Sequence, residues 1–108
     1  MDEKILMELV SGIVKIMEHK IVSIVLYGSV AKGTNTEESD VDVAILMHGQ
    51  LDYNTEEQLS DFIVDMDLKY DKVFSVIDID FDNFKKWEKV MPFYQNVTQE
   101  GIVLWKAA

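Results

Sequence analysis

The stretch that decides the fold is residues 21–47, which reads IVSIVLYGSVAKGTNTEESDVDVAILM. Its first seven residues form a nearly continuous apolar run that ends at Gly28, as expected of a strand buried on both faces. Towards its end, Asp40 and Asp42 alternate with apolar residues, so a strand there places the carboxylates on one face and the apolar side chains on the other. The stretch therefore predicts two strands that bring a glycine-serine bend and an acidic pair together.

The flanking segments predict further helices and strands. Apolar spacing of three and four residues indicates amphipathic helices, and short β-branched or aromatic runs indicate strands. The predicted elements are a helix over Glu3–His19, a long helix with a Thr55–Gln58 capping box, a strand over Val73–Ile79, a short helix before Pro92 and a strand over Ile102–Trp105. With no internal repeat or linker, the chain is expected to be one α+β domain, residues 1–108, in which helices pack on one face of a small mixed sheet.

The composition excludes several classes of protein. The chain of 108 residues has no cysteine, which rules out a disulfide scaffold, a thiolate nucleophile and a cysteine-ligated metal site. No apolar run approaches the ~20 residues of a membrane helix, and the N-terminal sequence MDEKILMELV is acidic where a secretory signal is basic. A cytoplasmic location without a membrane partner is therefore expected.

The charge balance limits the partners that the chain can bind. Twenty acidic and ten basic residues give a formal net charge of −10, which repels the phosphate backbone and disfavours a polynucleotide substrate. The same charge is compatible with divalent cations, with a phosphate compound that brings its own metal ion, or with a basic protein.

The residues that carry chemistry lie at the bend and on the acidic strand. Gly28 allows the backbone to turn sharply, and Ser29 offers a hydroxyl and an amide to phosphate oxygens. Asp40 and Asp42 are two residues apart on a strand, so both side chains share one face and can bind magnesium. A pair of such ions, roughly 3.5–4 Å apart, clamps the attacking and leaving oxygens of an in-line phosphoryl or nucleotidyl transfer.

One stretch of the sequence resembles the GS-x10-DxD signature of the DNA polymerase β-like nucleotidyltransferase superfamily. It consists of Gly28-Ser29, ten intervening residues and Asp40-Val41-Asp42. More narrowly, the chain resembles the minimal nucleotidyltransferases that act as antitoxins to HEPN-domain ribonuclease toxins. The resemblance implies a polymerase β palm-like fold and magnesium-dependent transfer of AMP from ATP, with pyrophosphate leaving. For the antitoxin branch it also implies AMPylation of a tyrosine on a HEPN toxin encoded by an adjacent gene, within a homo- or hetero-oligomer.

The resemblance assigns roles to the nucleotide-binding residues. Gly28 and Ser29 correspond to the residues that hold the triphosphate in the family. Many relatives carry an arginine where this chain has Val30, and Lys32 is expected to supply the missing positive charge, although lysine lacks the planar fork of arginine.

The resemblance also assigns the metal ligands. Asp40 and Asp42 correspond to two of the family's carboxylates, and the third is expected on the strand over Val73–Ile79. Asp78 is the favoured residue for it, with Asp80 and Ser75 as alternatives. If Ser75 holds that position, metal and partner binding are expected to persist while catalysis is impaired or absent.

Two other functions fit the same sequence. The chain can be a catalytically degenerate nucleotidyltransferase-fold module that neutralises its partner by binding alone. It can also adenylylate a small molecule such as an aminoglycoside, but 108 residues leave little chain for a substrate domain, so a second subunit would have to complete the pocket.

Overall fold

A four-stranded mixed sheet forms the centre of the molecule in the computed structural model, which describes residues 2–108. Its spatial order is β3-β2-β1-β4; β1 is antiparallel to both β2 and β4, and β2 is parallel to β3. The strands are β1 (Ile21–Tyr27), β2 (Val41–Met47), β3 (Phe74–Asp80) and β4 (Ile102–Lys106). The predicted α+β class with a small mixed sheet is confirmed.

Five helices connect and cover the strands. They are α1 (Glu3–Met17), α2 (Gly28–Lys32), α3 (Tyr53–Tyr70), α4 (Phe81–Trp87) and α5 (Pro92–Glu100), with a 3-10 turn at Glu18–Lys20. Within residues 2–108, no helix has both the length and the apolar character needed to cross a bilayer.

The main core lies between one face of the sheet and the helices α1 and α3. Alternate residues of β2 point into it, which leaves Asp42, Ala44 and Leu46 on the opposite face. The buried residues of this core are Leu9, Ile13, Met17, Ile21, Ile24, Leu26, Val41, Val43, Ile45, Met47, Leu59, Met66 and Phe74.

A second, smaller core lies on the other face of the sheet, beneath α4 and α5. Its buried residues are Val25, Ala44, Leu46, Ile79, Phe84 and Val97. The helices therefore occupy both faces, whereas the sequence led us to expect them on one. Helix α5 accounts for the difference: residues 92–100 are mostly polar, only Val97 of them is buried, and so the segment carries little of the periodicity that predicts a helix.

The start of α3 also differs from the prediction. Asp52 is the N-cap, and its carboxylate accepts a hydrogen bond of 2.7 Å from the amide of Thr55. The expected Thr55–Gln58 capping box is therefore wrong, because Asp52 already satisfies the backbone donor there and the helix begins at Tyr53.

Candidate nucleotide and metal site

The glycine-serine bend and the second aspartate of the acidic pair meet where β1 ends. Tyr27, the last residue of β1, lies directly opposite Asp42 on β2, so Gly28 follows immediately beside that carboxylate. Gly28 has a φ of +77°, and a methyl group placed on it would collide with Oδ2 of Asp42. Only glycine allows both this backbone conformation and this close approach.

The surroundings of Asp42 disfavour its negative charge. Partial burial raises the pKa of the Asp42 carboxyl, and the negative charge of Asp40 raises it further. Asp40 is exposed and immediately precedes β2, near enough for its charge to act on Asp42. The pair thus combines desolvation with like-charge repulsion, and both costs fall when a cation binds.

The carboxylates of Asp40 and Asp42 are suited to magnesium that also binds phosphate. Magnesium is commonly bound through one or two carboxylates, with substrate phosphates and water completing its octahedron. Within residues 2–108, no group of three or more histidine, cysteine or acidic side chains is placed to hold a metal ion. Asp40 and Asp42 therefore suit a cation that shares its ligands with a nucleotide, and do not form a cage built by the protein alone.

The residue beside Asp42 on β3 is Ser75. The parallel register pairs Asp42 with Ser75 and pairs Asp78 with Ile45. Ile45 points into the main core beneath α1 and α3, so Asp78 lies on the face opposite to Asp42. The structure therefore does not bring the expected ligand Asp78 together with Asp40 and Asp42, because residues 42 and 75 are neighbours and the side-chain period of a strand sends residue 78 to the other face.

The two aspartates of β3 have other surroundings. Asp78 lines a shallow groove against α3, beside Glu56 and Ser60. Asp80 ends β3 and caps α4, and its carboxylate accepts a hydrogen bond of 3.2 Å from the amide of Asp82. Neither carboxylate shares the face of Asp42.

Helix α2 places the remaining predicted binding residues. Ser29 is half-buried in its first turn, whereas Val30 packs against the main core. Position 30 thus contributes an apolar contact. Nζ of Lys32 lies 3.1 Å from Oε2 of Glu100 at the end of α5, so a phosphate group would compete with Glu100 for this lysine.

The sequence analysis missed two aromatic residues at this site. Tyr27 is half-buried beside Asp42; burial raises the pKa of its hydroxyl, and the charge of Asp42 adds to the effect. Phe93 of α5 packs against Tyr27 with ring centroids 5.5 Å apart and nearly perpendicular planes. The position of Tyr27 immediately before the Gly28-Ser29 bend was a usable signal, but nothing in the sequence linked Phe93 to it.

A glycine-serine bend against an acidic pair is the arrangement of a nucleotidyltransferase, and comparison with known proteins agrees. The family model described as "Polymerase beta, Nucleotidyltransferase" matches residues 12–108, and the chain belongs to this family. A candidate protein adenylyltransferase of Methanocaldococcus jannaschii, MJ0604, is 34% identical to it over 107 residues, which is 96% of this chain and 98% of that protein.

Solved structures share the fold. One is a chain of a toxin–antitoxin complex with AMP-PNP, with a TM-score of 0.63 and 22% identity over 99% of this chain and 75% of that chain. Another comes from a complex of a tri-AMPylated HEPN toxin of Shewanella oneidensis with its MNT antitoxin, with a TM-score of 0.61 and 18% identity over 99% and 74% of the two chains. At these identities the likeness concerns the fold alone.

Proposed function

We propose that the protein transfers AMP from ATP to a hydroxyl group of a partner protein, and that this partner is a HEPN-type toxin which the modification silences. The observation that supports the proposal most strongly is the close approach of Gly28 to the carboxylate of Asp42, because a bend suited to phosphate then lies against an acid suited to a metal ion. The likeness to a candidate protein adenylyltransferase and to antitoxin structures supports the protein as acceptor.

Each residue of the site has its own role in this reaction. The backbone at Gly28 and the hydroxyl of Ser29 hold the triphosphate, while Asp40 and Asp42 hold magnesium. When bound, the metal ion neutralises phosphate charge and lowers the barrier to attack. The acceptor oxygen forms a bond to the α-phosphorus, the bond from that phosphorus to the pyrophosphate oxygen breaks, and the hydroxyl proton passes to solvent.

Ser75 favours an acidic hydroxyl as the acceptor. A carboxylate beside Asp42 would help to deprotonate the attacking oxygen, and the neutral hydroxyl of Ser75 does not. A phenol with a pKa of about 10 loses its proton far more readily than an aliphatic alcohol does. A tyrosine hydroxyl on the partner therefore suits this site better than serine or threonine.

Ser75 also supports a second candidate function. Because Ser75 lies beside Asp42 and no group of three acidic side chains within residues 2–108 is placed to hold a metal ion, the chain can be a binding module that neutralises its partner without transferring AMP. In this alternative, protection depends on the area of contact with the partner and not on Asp40 or Asp42.

A labelling experiment separates the two functions. The purified chain is incubated with α-labelled ATP, magnesium and the product of the neighbouring gene, and label on that product is measured for wild type and Asp42→Asn. The proposal expects label from wild type and a loss of at least about a hundredfold in the variant, because metal binding supplies several kcal/mol to such reactions. Absence of label, together with a complex that forms equally well with Asp42→Asn, supports the binding module instead.

A further inference from the structure

An exposed aromatic ring lies next to the candidate site. Phe93, in the first turn of α5, contacts the ring of Tyr27 edge to face, and Tyr27 lies directly opposite Asp42. One aromatic ring therefore separates Phe93 from the carboxylate that would hold the metal ion and the phosphates.

Phe93 is held in place and yet remains open to solvent. Its ring packs at a steep angle against Tyr27 at 5.5 Å and against Tyr94 at 6.0 Å, and Tyr94 in turn packs on Phe84 of the smaller core. Even so, 38% of Phe93 stays exposed. An aromatic ring fixed by edge contacts with a part open to solvent is suited to stack against a planar ligand.

The position of the Phe93 ring suits the base end of a nucleotide. In a nucleoside triphosphate the ribose separates the base from the phosphates, so phosphates at Gly28 and Asp42 place the base to one side of the bend. Helix α5 packs beside α2, which begins at the bend, and its Phe93 contacts Tyr27, so a base leaving the phosphates towards α5 would meet this ring. Among residues 2–108, no other aromatic residue both contacts Tyr27 in this way and keeps more than a third of its surface exposed.

We propose, building on the nucleotidyltransferase function above, that Phe93, backed by Tyr27, stacks against the nucleobase of the bound nucleotide and gives the site its preference for purines. A purine presents a larger flat surface than a pyrimidine, so stacking without hydrogen bonds still discriminates between the two. The ring acts on binding, and it takes no part in breaking or forming bonds.

Equilibrium binding tests the proposal independently of catalysis. The affinities of wild type, Phe93→Leu and Phe93→Trp for ATP, UTP and tripolyphosphate are measured by calorimetry in the presence of magnesium. We expect Phe93→Leu to weaken ATP binding about tenfold, in line with the loss of one stacked base, and to leave tripolyphosphate binding unchanged. Phe93→Trp should retain the affinity for ATP and the preference over UTP.

Trp87→Ala is the matched control, because Trp87 is an equally exposed aromatic residue (43%) that makes no ring contact with Tyr27. Equal weakening of ATP and tripolyphosphate by Phe93→Leu would overturn the proposal, since it would indicate a purely structural role. Wild-type protein that binds ATP no better than tripolyphosphate would also overturn it, even if AMP transfer occurs. If the protein binds ATP selectively but transfers no AMP, the stacking of Phe93 on the nucleobase is supported. The same result contradicts the proposed enzymatic function.

Discussion

Ser75 of β3 lies directly beside Asp42 of β2, so a neutral hydroxyl and not a third carboxylate neighbours Asp42 on this face of the sheet. The parallel register of the two strands fixes this pair and sends Asp78 to the opposite face, towards α3. The site therefore presents two carboxylates and a hydroxyl, and its chemistry can be tested residue by residue.

Asp78→Asn should leave AMP transfer unchanged, whereas Asp42→Asn should reduce it at least about a hundredfold. The two residues differ because only Asp42 lies on the face of the Gly28-Ser29 bend. Initial rates with labelled ATP measure both variants in parallel. An equal loss of rate in the two variants would show that the relevant carboxylates do not follow the register of this sheet.

Ser75→Asp should increase the rate of AMP transfer at least about tenfold, since a positioned carboxylate commonly accelerates proton removal by more than that. Without magnesium the same variant should be less stable than wild type, because a third negative charge is added beside Asp42. Rates and melting temperatures with and without the metal ion check the prediction. A rate that stays at the wild-type value, with the fold intact, would argue against any catalytic role of this position.

Gly28→Ala should lower the rate of AMP transfer about a hundredfold, and Gly33→Ala should leave it unchanged. Both glycines have positive φ angles, +77° and +75°, so alanine costs each about 1–2 kcal/mol of backbone strain. Only at Gly28 does the new methyl group meet Asp42, whereas at Gly33 it meets open space. Displacing Asp42 by even an ångström should lower the rate about a hundredfold. Denaturant unfolding measures the loss of stability that both variants share, and the labelling assay measures the difference between their rates of AMP transfer. Equal rates in the two variants would contradict the prediction.

Asp42→Asn should stabilise the protein in the absence of metal ions. Burial and Asp40 raise the pKa of Asp42 in the folded state above its ordinary value of 3.8, so the protonated form favours folding. This contribution is present below pH 3.8 and is lost as the pH rises through the folded-state pKa. At neutral pH the variant should therefore be more stable than wild type, and at pH 3 the advantage should shrink.

Magnesium supplied together with ATP should reverse that difference at neutral pH, because a cation held by both carboxylates and the nucleotide phosphates offsets the repulsion between Asp40 and Asp42 and so stabilises wild type more than the variant. Thermal unfolding with and without the ion, at both pH values, measures the effect. Glu8→Gln, at the α1–α3 ion pair with Lys69, is a control that should not alter the response to magnesium.

The sequence by itself determined the local elements of the site. Apolar alternation on β2 already placed the carboxylate of Asp42 on the face away from the main core. The order of the four strands followed from short-range periodicities, whereas α5 did not, and the likeness to the family rested on the spacing of Gly28-Ser29 from Asp40 and Asp42.

Only the tertiary structure decided what surrounds those carboxylates. The register between β2 and β3 joins segments separated by an 18-residue helix, and a shift of one residue turns every β3 side chain to the other face. No local pattern fixes such a shift, so Ser75 and Asp78 could be told apart only in the folded sheet. The position of Phe93 could likewise be found only in the folded protein. Its contact with Tyr27 depends on how α5 packs on the face of the sheet opposite to α1 and α3, and no local pattern determines that packing.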